Sequence, residues 1–181
     1  MTNQMTSAFR RLASLSALCV FAALTGCASQ MTSQEMTPPQ VAAARQHPQS
    51  VNVAVLPMTK KDPVAETIAA EQLRTAIGEA IVASKTFADV KKDGGDYQLA
   101  VQIFNLQYPM FGVSMTSKIE IGWTLKRADN GAVVWQESIT TEHTTGGTEA
   151  FVGAERLKMS IAGAIRKNIA TGLQKISALS Q

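Results

Sequence analysis

The most reactive side chains of this 181-residue chain are two thiols near its beginning. A cysteine can act as a nucleophile, bind a metal or accept a covalent group, depending on its surroundings. Cys19 lies in an uncharged run from residue 12 to residue 24, directly after Arg10 and Arg11. A basic head and a short apolar run are typical of a secretory signal, and this run is too short to span a membrane. We therefore expect residues 1–26 to be a signal peptide.

The second thiol follows a recognisable motif. Leu24-Thr25-Gly26-Cys27 resembles the lipobox of bacterial lipoprotein precursors, which ends in an obligatory cysteine. The resemblance implies that Cys27 becomes the N-terminus and carries a diacylglyceryl thioether and an acyl chain, so that lipid holds the protein on a membrane. Several acyl chains anchor firmly where one is marginal. Because Ala28 follows instead of Asp, the resemblance further implies the inner leaflet of the outer membrane, with the folded part in the periplasm.

Removal of residues 1–26 changes what the composition indicates. The whole chain has 17 basic and 14 acidic residues, but the signal contains Arg10 and Arg11, which leaves 15 basic residues against 14 acidic ones. This near-neutral balance does not support nucleic-acid binding, which needs a clustered basic face. Cys27 is then the only thiol left, so neither a disulfide within the chain nor a cysteine cluster for zinc is expected.

Other candidates for catalysis or metal binding are isolated in the sequence. His47 lies beside Pro48 in an expected linker, and His143 lies beside Glu142, where we expect a solvated strand end. A catalytic base or a zinc site normally needs further ligands or an orienting partner. Ser114 lacks the glycine pattern of a hydrolase nucleophile. We therefore expect no catalytic residue, no metal and no cofactor, and a protein that is not an enzyme.

One connection between predicted strands is unusually apolar. The segment from Leu106 to Gly112 contains Tyr108, Met110 and Phe111, although connections are usually polar. These side chains either fold back over the end of the sheet or form an exposed apolar tip that docks on a partner, since such residues are enriched in interface cores. The second interpretation makes Tyr108, Met110 and Phe111 the candidate docking residues.

The mature chain divides into a linker and one domain. Residues 27–49 are expected to be the lipidated cysteine and a flexible tether, because the segment is polar, has no regular period and contains Pro38-Pro39. Residues 50–181 are expected to form a single globular domain.

The domain shows alternating strand patterns and two long amphipathic stripes. The order is β-α-(β)-β-β-β-α, with Asp129-Asn130-Gly131 as the tight turn of a hairpin. Successive strands with short turns favour antiparallel pairing, so the fold class is α+β. We expect a two-layer sandwich whose mainly antiparallel sheet carries two long helices on one face. The expected strands begin at residues 51, 87, 97, 115 and 133, and the expected helices span 63–84 and 150–178.

These features in this order also resemble a family. The motif ending at Cys27, the segment Gly94-Gly95-Asp96-Tyr97-Gln98-Leu99 and the final helix opened by Phe151-Val152-Gly153-Ala154 are similar to small YajG-type envelope lipoproteins. The likeness extends more distantly to the TolB N-terminal domain and to LpoB. It implies an accessory component that binds another envelope protein. The alternatives are a self-assembling subunit of a secretion or envelope structure and, less favoured, a small-ligand carrier or enzyme.

Overall fold

The computed structural model describes residues 30–180 of the chain. The elements, in order, are α1 (Ser33–Met36), β1 (His47–Leu56), a 3-10 turn (Ala65–Thr67), α2 (Ala70–Ser84), β2 (Phe87–Lys91), β3 (Tyr97–Gln107), β4 (Met115–Arg127), β5 (Val133–Thr145) and α3 (Gly153–Ser177). The α+β class is confirmed, with one five-stranded sheet and two long helices packed against it.

The sheet has the strand order β2-β1-β3-β4-β5 and is mixed. The strands β3, β4 and β5 pair antiparallel, as short connections predict, while β1 pairs parallel with both β2 and β3. The sheet is thus less uniformly antiparallel than expected. The reason is topological, because α2 connects β1 to β2 and a helical crossover returns the chain in the same direction.

The core lies between one face of the sheet and the two long helices. Alternate residues of β3 and β4, such as Leu99, Val101, Ile121 and Trp123, are fully buried on this face. The helix α2 packs on β1 and β2, and α3 packs on β4 and β5, so each helix covers one half of the sheet. Among residues 30–180, no helix combines the length and apolar character needed to cross a bilayer.

The first long helix begins later than its apolar stripe predicts. Asp62 does accept hydrogen bonds from the Val64 and Ala65 amides, but these residues begin only a short 3-10 turn, whose cap position is Val64. Ala69 is extended (ψ 130°), and α2 begins at the next residue. The amide of Met31 donates to the Thr67 carbonyl (3.0 Å), so a contact from a distant part of the chain occupies the backbone where the helix would continue.

The expectation of a flexible tether up to residue 49 is wrong for its described part. Met31 and Met36 are fully buried, and α1 packs against both α2 and α3. Thr32 and Glu35 form a reciprocal capping box that starts α1 in a segment without helical periodicity. The first strand then begins at His47 rather than at residue 51. The polar composition was misleading because two methionines supply enough apolar surface to fix the segment.

Candidate docking surface

The connection between β3 and β4 divides the predicted docking residues into two groups. Met110 and Phe111 are exposed by 81% and 87%, as the docking interpretation requires. Tyr108 is half-buried, and its hydroxyl donates to the Asp62 carboxylate at 3.2 Å. Burial, followed by the charge and hydrogen bond of Asp62, raises the pKa of Tyr108. Tyr108 therefore secures the base of the loop, and Met110 and Phe111 form its tip.

A second loop adds apolar side chains at the same end of the domain. Phe151 and Val152, immediately before α3, are exposed by 93% and 66%. The two loops meet where Val113, itself largely exposed, lies over Gly147: a Cβ built on Gly147 would come within 2.9 Å of the Val113 side chain. We call the set Met110, Phe111, Val113, Phe151 and Val152 the apolar end. Soluble monomers seldom group large exposed apolar side chains in this way without a contact function.

Arg156 of α3 holds the two loops together. Its guanidinium donates to the carbonyls of Ala150 (2.8 Å) and Phe151 (2.9 Å) in one loop and of Gly112 (3.0 Å) in the other. Gly112 adopts φ +155°, and a Cβ there would lie 2.9 Å from the Ser114 carbonyl oxygen, so the backbone conformation at this point of the loop favours glycine. The apolar end is thus displayed by a braced backbone.

A groove of about 450 Å³ runs beside the apolar end. Val152 belongs to both features, and the opposite wall includes Met31 and Val64. Leu157 and Ile161 of α3 line the groove along its length, so its surface is mainly apolar. The described chain therefore begins next to the apolar end.

Two charged side chains, Glu155 and Lys158, line this groove, and Lys158 belongs to an ion pair. Lys158 and Glu35 lie 2.6 Å apart, and both side chains are partly buried. Burial opposes the charge of Glu35, but hydrogen bonds from Lys158 and Thr32 outweigh it and place the pKa of Glu35 below its ordinary value. The same hydrogen bond raises the pKa of Lys158. The pair joins α1 to α3 and leaves neither charge free in the groove.

The two histidines both have packing roles. His47 lies in β1, not in a linker, and is buried with Nε2 2.9 Å from the Ile176 carbonyl oxygen. His143 is half-buried against Gly163 of α3 and not a freely solvated strand end. Burial, and then Lys167 and Arg166, lower its pKa. Within residues 30–180, no group of three or more acidic, histidine or cysteine side chains is arranged to hold a metal ion.

The remaining predicted residues are placed as follows. Cys27 lies outside the described residues, four positions before Met31. Ser114 is exposed in the β3–β4 loop. Trp123 is fully buried and donates from Nε1 to Asn168 (2.9 Å), which in turn donates to the Ile139 carbonyl (2.7 Å).

Sequence reasoning missed three of the five residues of the apolar end, Val113, Phe151 and Val152. Phe151 and Val152 were seen only as the opening of the last helix, and Arg156 was not singled out. A usable signal is present: two large apolar residues lie in a connection rich in glycine and threonine, just outside the apolar stripe of the helix.

The comparisons with known proteins define the fold class and no family. No family model matches the chain, and no curated protein does so either. Among solved structures, a DUF330 protein from Xanthomonas campestris superposes with a TM-score of 0.58 at 14% identity, covering 77% of this chain and 89% of that one. This likeness is one of fold alone.

Two further structures have the same architecture. A hypothetical protein from Chlamydia trachomatis gives a TM-score of 0.52 at 9% identity, over 75% of this chain and all of that one. PelC from Paraburkholderia phytofirmans, solved as a dodecamer, gives 0.50 at 18% identity, over 77% and 96%. The two-layer α+β fold found here is therefore shared by proteins of very different sequence.

Proposed function

We propose that this chain is a lipoprotein of the bacterial cell envelope that acts by contact and not by catalysis. Lipid on Cys27 anchors it, and the apolar end is the surface through which it docks. The observation that carries the proposal is the display of Met110, Phe111 and Phe151, each exposed by more than 80%, on loops braced by Arg156. A protein that kept such a surface in water without use would risk aggregation.

The proposal includes a location and a partner. The motif at Leu24–Cys27 and the absence of Asp at residue 28 favour the inner leaflet of the outer membrane, with the domain in the periplasm. Kinship with YajG-type lipoproteins, on the residues given above, favours an accessory role beside another envelope protein. The packing of both histidines favours a non-catalytic role, because each is committed to contacts within the fold.

Two measurements test this function. Growth with a radiolabelled fatty acid should label the wild type and not Cys27→Ala, and the wild type should fractionate with membranes. A photo-crosslinking residue in place of Phe111 should give reproducible adducts, with lipid or with protein, in intact cells. The same residue in place of Lys126, on a strand remote from the apolar end, provides the control. An unlabelled wild type would overturn the anchor, and equal adducts from both positions would overturn the docking surface.

A self-assembling subunit is the second candidate. Among the described strands, β5 is an edge of the sheet and is 13 residues long, so it offers a row of backbone groups to another chain. The fold is also one that PelC uses in a dodecamer. Against this, Glu137 of β5 is paired with Lys175 (2.6 Å), and an inward charge on an edge strand discourages pairing. Light scattering of the lipidated protein in detergent micelles distinguishes a monomer from a ring.

A further inference from the structure

We infer that the apolar end rests in the lipid leaflet that holds Cys27. This inference rests on the proposed lipid anchor and names the partner of the docking surface. A protein partner would then meet the faces of the domain that remain turned toward the periplasm.

The first argument is the reach of the chain. Met31 is buried in the wall of the groove beside Val152, so the described chain begins at the apolar end. Three residues separate Cys27 from Met31, and the four steps from one to the other span only about 14 Å in a fully extended chain. A lipid on Cys27 therefore keeps the apolar end close to the membrane surface at all times. Such tethering raises the effective concentration of the second contact without any new affinity.

The second argument is the chemistry of the side chains. Protein interfaces draw most of their affinity from tyrosine, tryptophan and arginine, which combine area with directional hydrogen bonds. At this end Tyr108 is committed to Asp62, and Arg156 is committed to three carbonyls inside the protein. The apolar end itself is made only of Phe, Met and Val side chains. Such side chains can be buried among acyl chains without needing any hydrogen-bond partner.

The third argument is the surroundings of the apolar end. Lys60 and Lys61 are exposed in the segment leading to Asp62, which contacts Tyr108. Basic side chains beside apolar ones suit the boundary between anionic headgroups and acyl chains. Two acidic side chains flank Phe151 and Val152. Glu149 accepts a hydrogen bond from the Gly146 amide (2.7 Å) and is held toward its own loop, and Glu155 is exposed in the first turn of α3, where it lines the groove.

The test uses the mature lipidated protein in vesicles of phosphatidylethanolamine and phosphatidylglycerol. In that protein the Cys27 thiol is blocked by its thioether and Cys19 is lost with the signal, so an introduced cysteine carries the only free thiol. A bimane fluorophore is attached at Phe111→Cys, at Phe151→Cys and at Val82→Cys. Val82 is the matched control, because it is apolar and 64% exposed but lies near the end of α2, at the opposite end of the sheet.

We expect the emission of bimane at positions 111 and 151 to be blue-shifted relative to bimane at position 82. Lipids carrying a nitroxide just below the headgroup should quench both reporters at least threefold more than the reporter at position 82. Equal quenching at the three positions would overturn the inference while the lipid on Cys27 stands. If the wild-type protein carries no lipid, both the proposed anchor at Cys27 and this inference are contradicted. Crosslinks from Phe111 that recover a protein in cells, with no quenching in vesicles, would assign this end to that protein.

Discussion

The two connections that flank β4 both reverse the chain between antiparallel strands, but different interactions stabilise them. The β4–β5 turn is polar and satisfies most of its backbone itself: Gly131 takes φ +71°, its amide donates to the Arg127 carbonyl (3.0 Å), and Asn130 accepts from the Ala132 amide (2.9 Å). Its one backbone hydrogen bond to another described segment runs from the Ala128 amide to the Asp96 carbonyl (2.9 Å). The β3–β4 connection turns its apolar side chains outward and depends on other elements for its shape. Arg156 reaches it from α3, and Asp62 holds Tyr108 from the segment after β1.

The β4–β5 turn only reverses the chain, whereas the β3–β4 loop also exposes large apolar side chains. A turn whose own residues satisfy most of its backbone needs little from the rest of the protein. A loop that exposes its apolar side chains cannot fix its shape by packing them inward, so its backbone must be held by other elements. Arg156 provides that fixation, and this is why a long basic side chain is directed inward among carbonyl oxygens.

Of the substitutions that test this difference between the two connections, replacement of Arg156 should have the largest effect on the free energy of unfolding. Arg156→Met keeps the length of the side chain but removes hydrogen bonds to three carbonyls, which should lower the free energy of unfolding by about 2 kcal/mol. Urea unfolding of the purified domain measures the change. Arg74→Met is the control, because Arg74 contacts only the exposed Glu71 on its own helix and should matter much less. Equal losses in the two variants would contradict the bracing role.

The β4–β5 turn should be sensitive to substitution at Gly131. Gly131→Ala places a Cβ in the left-handed region and should cost about 1 kcal/mol. Gly78→Ala is the matched control: Gly78 lies in α2, where a Cβ would meet Val90 at an ordinary 3.7 Å, and the helix should gain stability. Thermal unfolding of both variants should therefore move in opposite directions. A loss of the same size in each would show that conformation at Gly131 is not the cause.

Tyr108 should contribute less, and its contribution should depend on pH. Tyr108→Phe removes the hydrogen bond to Asp62 and should lower stability by about 0.5–1 kcal/mol at neutral pH. Because the folded state raises the pKa of Tyr108 above its ordinary value of 10.0, the hydrogen bond is fully present below that pH. Its stabilisation is lost as the pH rises through the higher, folded-state pKa. Urea unfolding of both proteins from pH 8 to pH 11 should show the gap narrowing, and a constant gap would exclude this explanation.

The apolar end should contribute least to stability. Phe111→Ser and Phe151→Ser replace side chains that are already in water, so unfolding should change by less than about 0.5 kcal/mol. Phe87→Ala, at a site only 2% exposed, should instead cost about 3 kcal/mol or more. Circular dichroism during urea titration measures all three. A large loss at position 111 would mean that the loop packs inward.

The sequence predicted most of the fold because its central elements have unambiguous periods. The alternation in β4 places Ile119, Ile121 and Trp123 on the buried face, and the stripe of α3 matches a helix observed from Gly153 to Ser177. What could not be read were interactions between distant segments. Just before α2 the Thr67 carbonyl accepts from the Met31 amide, and the buried His47 lies with Nε2 2.9 Å from the Ile176 carbonyl oxygen. No local pattern records either contact.

The proposed docking surface could be predicted from the sequence only where its residues are unusual for a connection between strands. Met110 and Phe111 stood out because a connection is rarely so apolar, and both are exposed as one interpretation required. Tyr108 carries the same signal but turns inward, because Asp62 is within reach of its hydroxyl. Phe151 and Val152 were hidden by their nearness to an apolar helix, whose stripe they do not join. The attachment at Cys27 remains a prediction.

The burial of Met31 and Met36 also has a mechanical consequence. A force on the chain ahead of residue 31 enters the domain at a packed position, where the Met31 amide is bonded to Thr67. The load then passes through α1 into α2, since the Ser33 amide donates to Gln72 and the Thr37 hydroxyl to Glu79 (both 2.8 Å). No slack length of chain absorbs it among the residues described. A force on the preceding chain is therefore transmitted directly to the packed segment around α1, and this limits the rotation of the domain about its point of attachment.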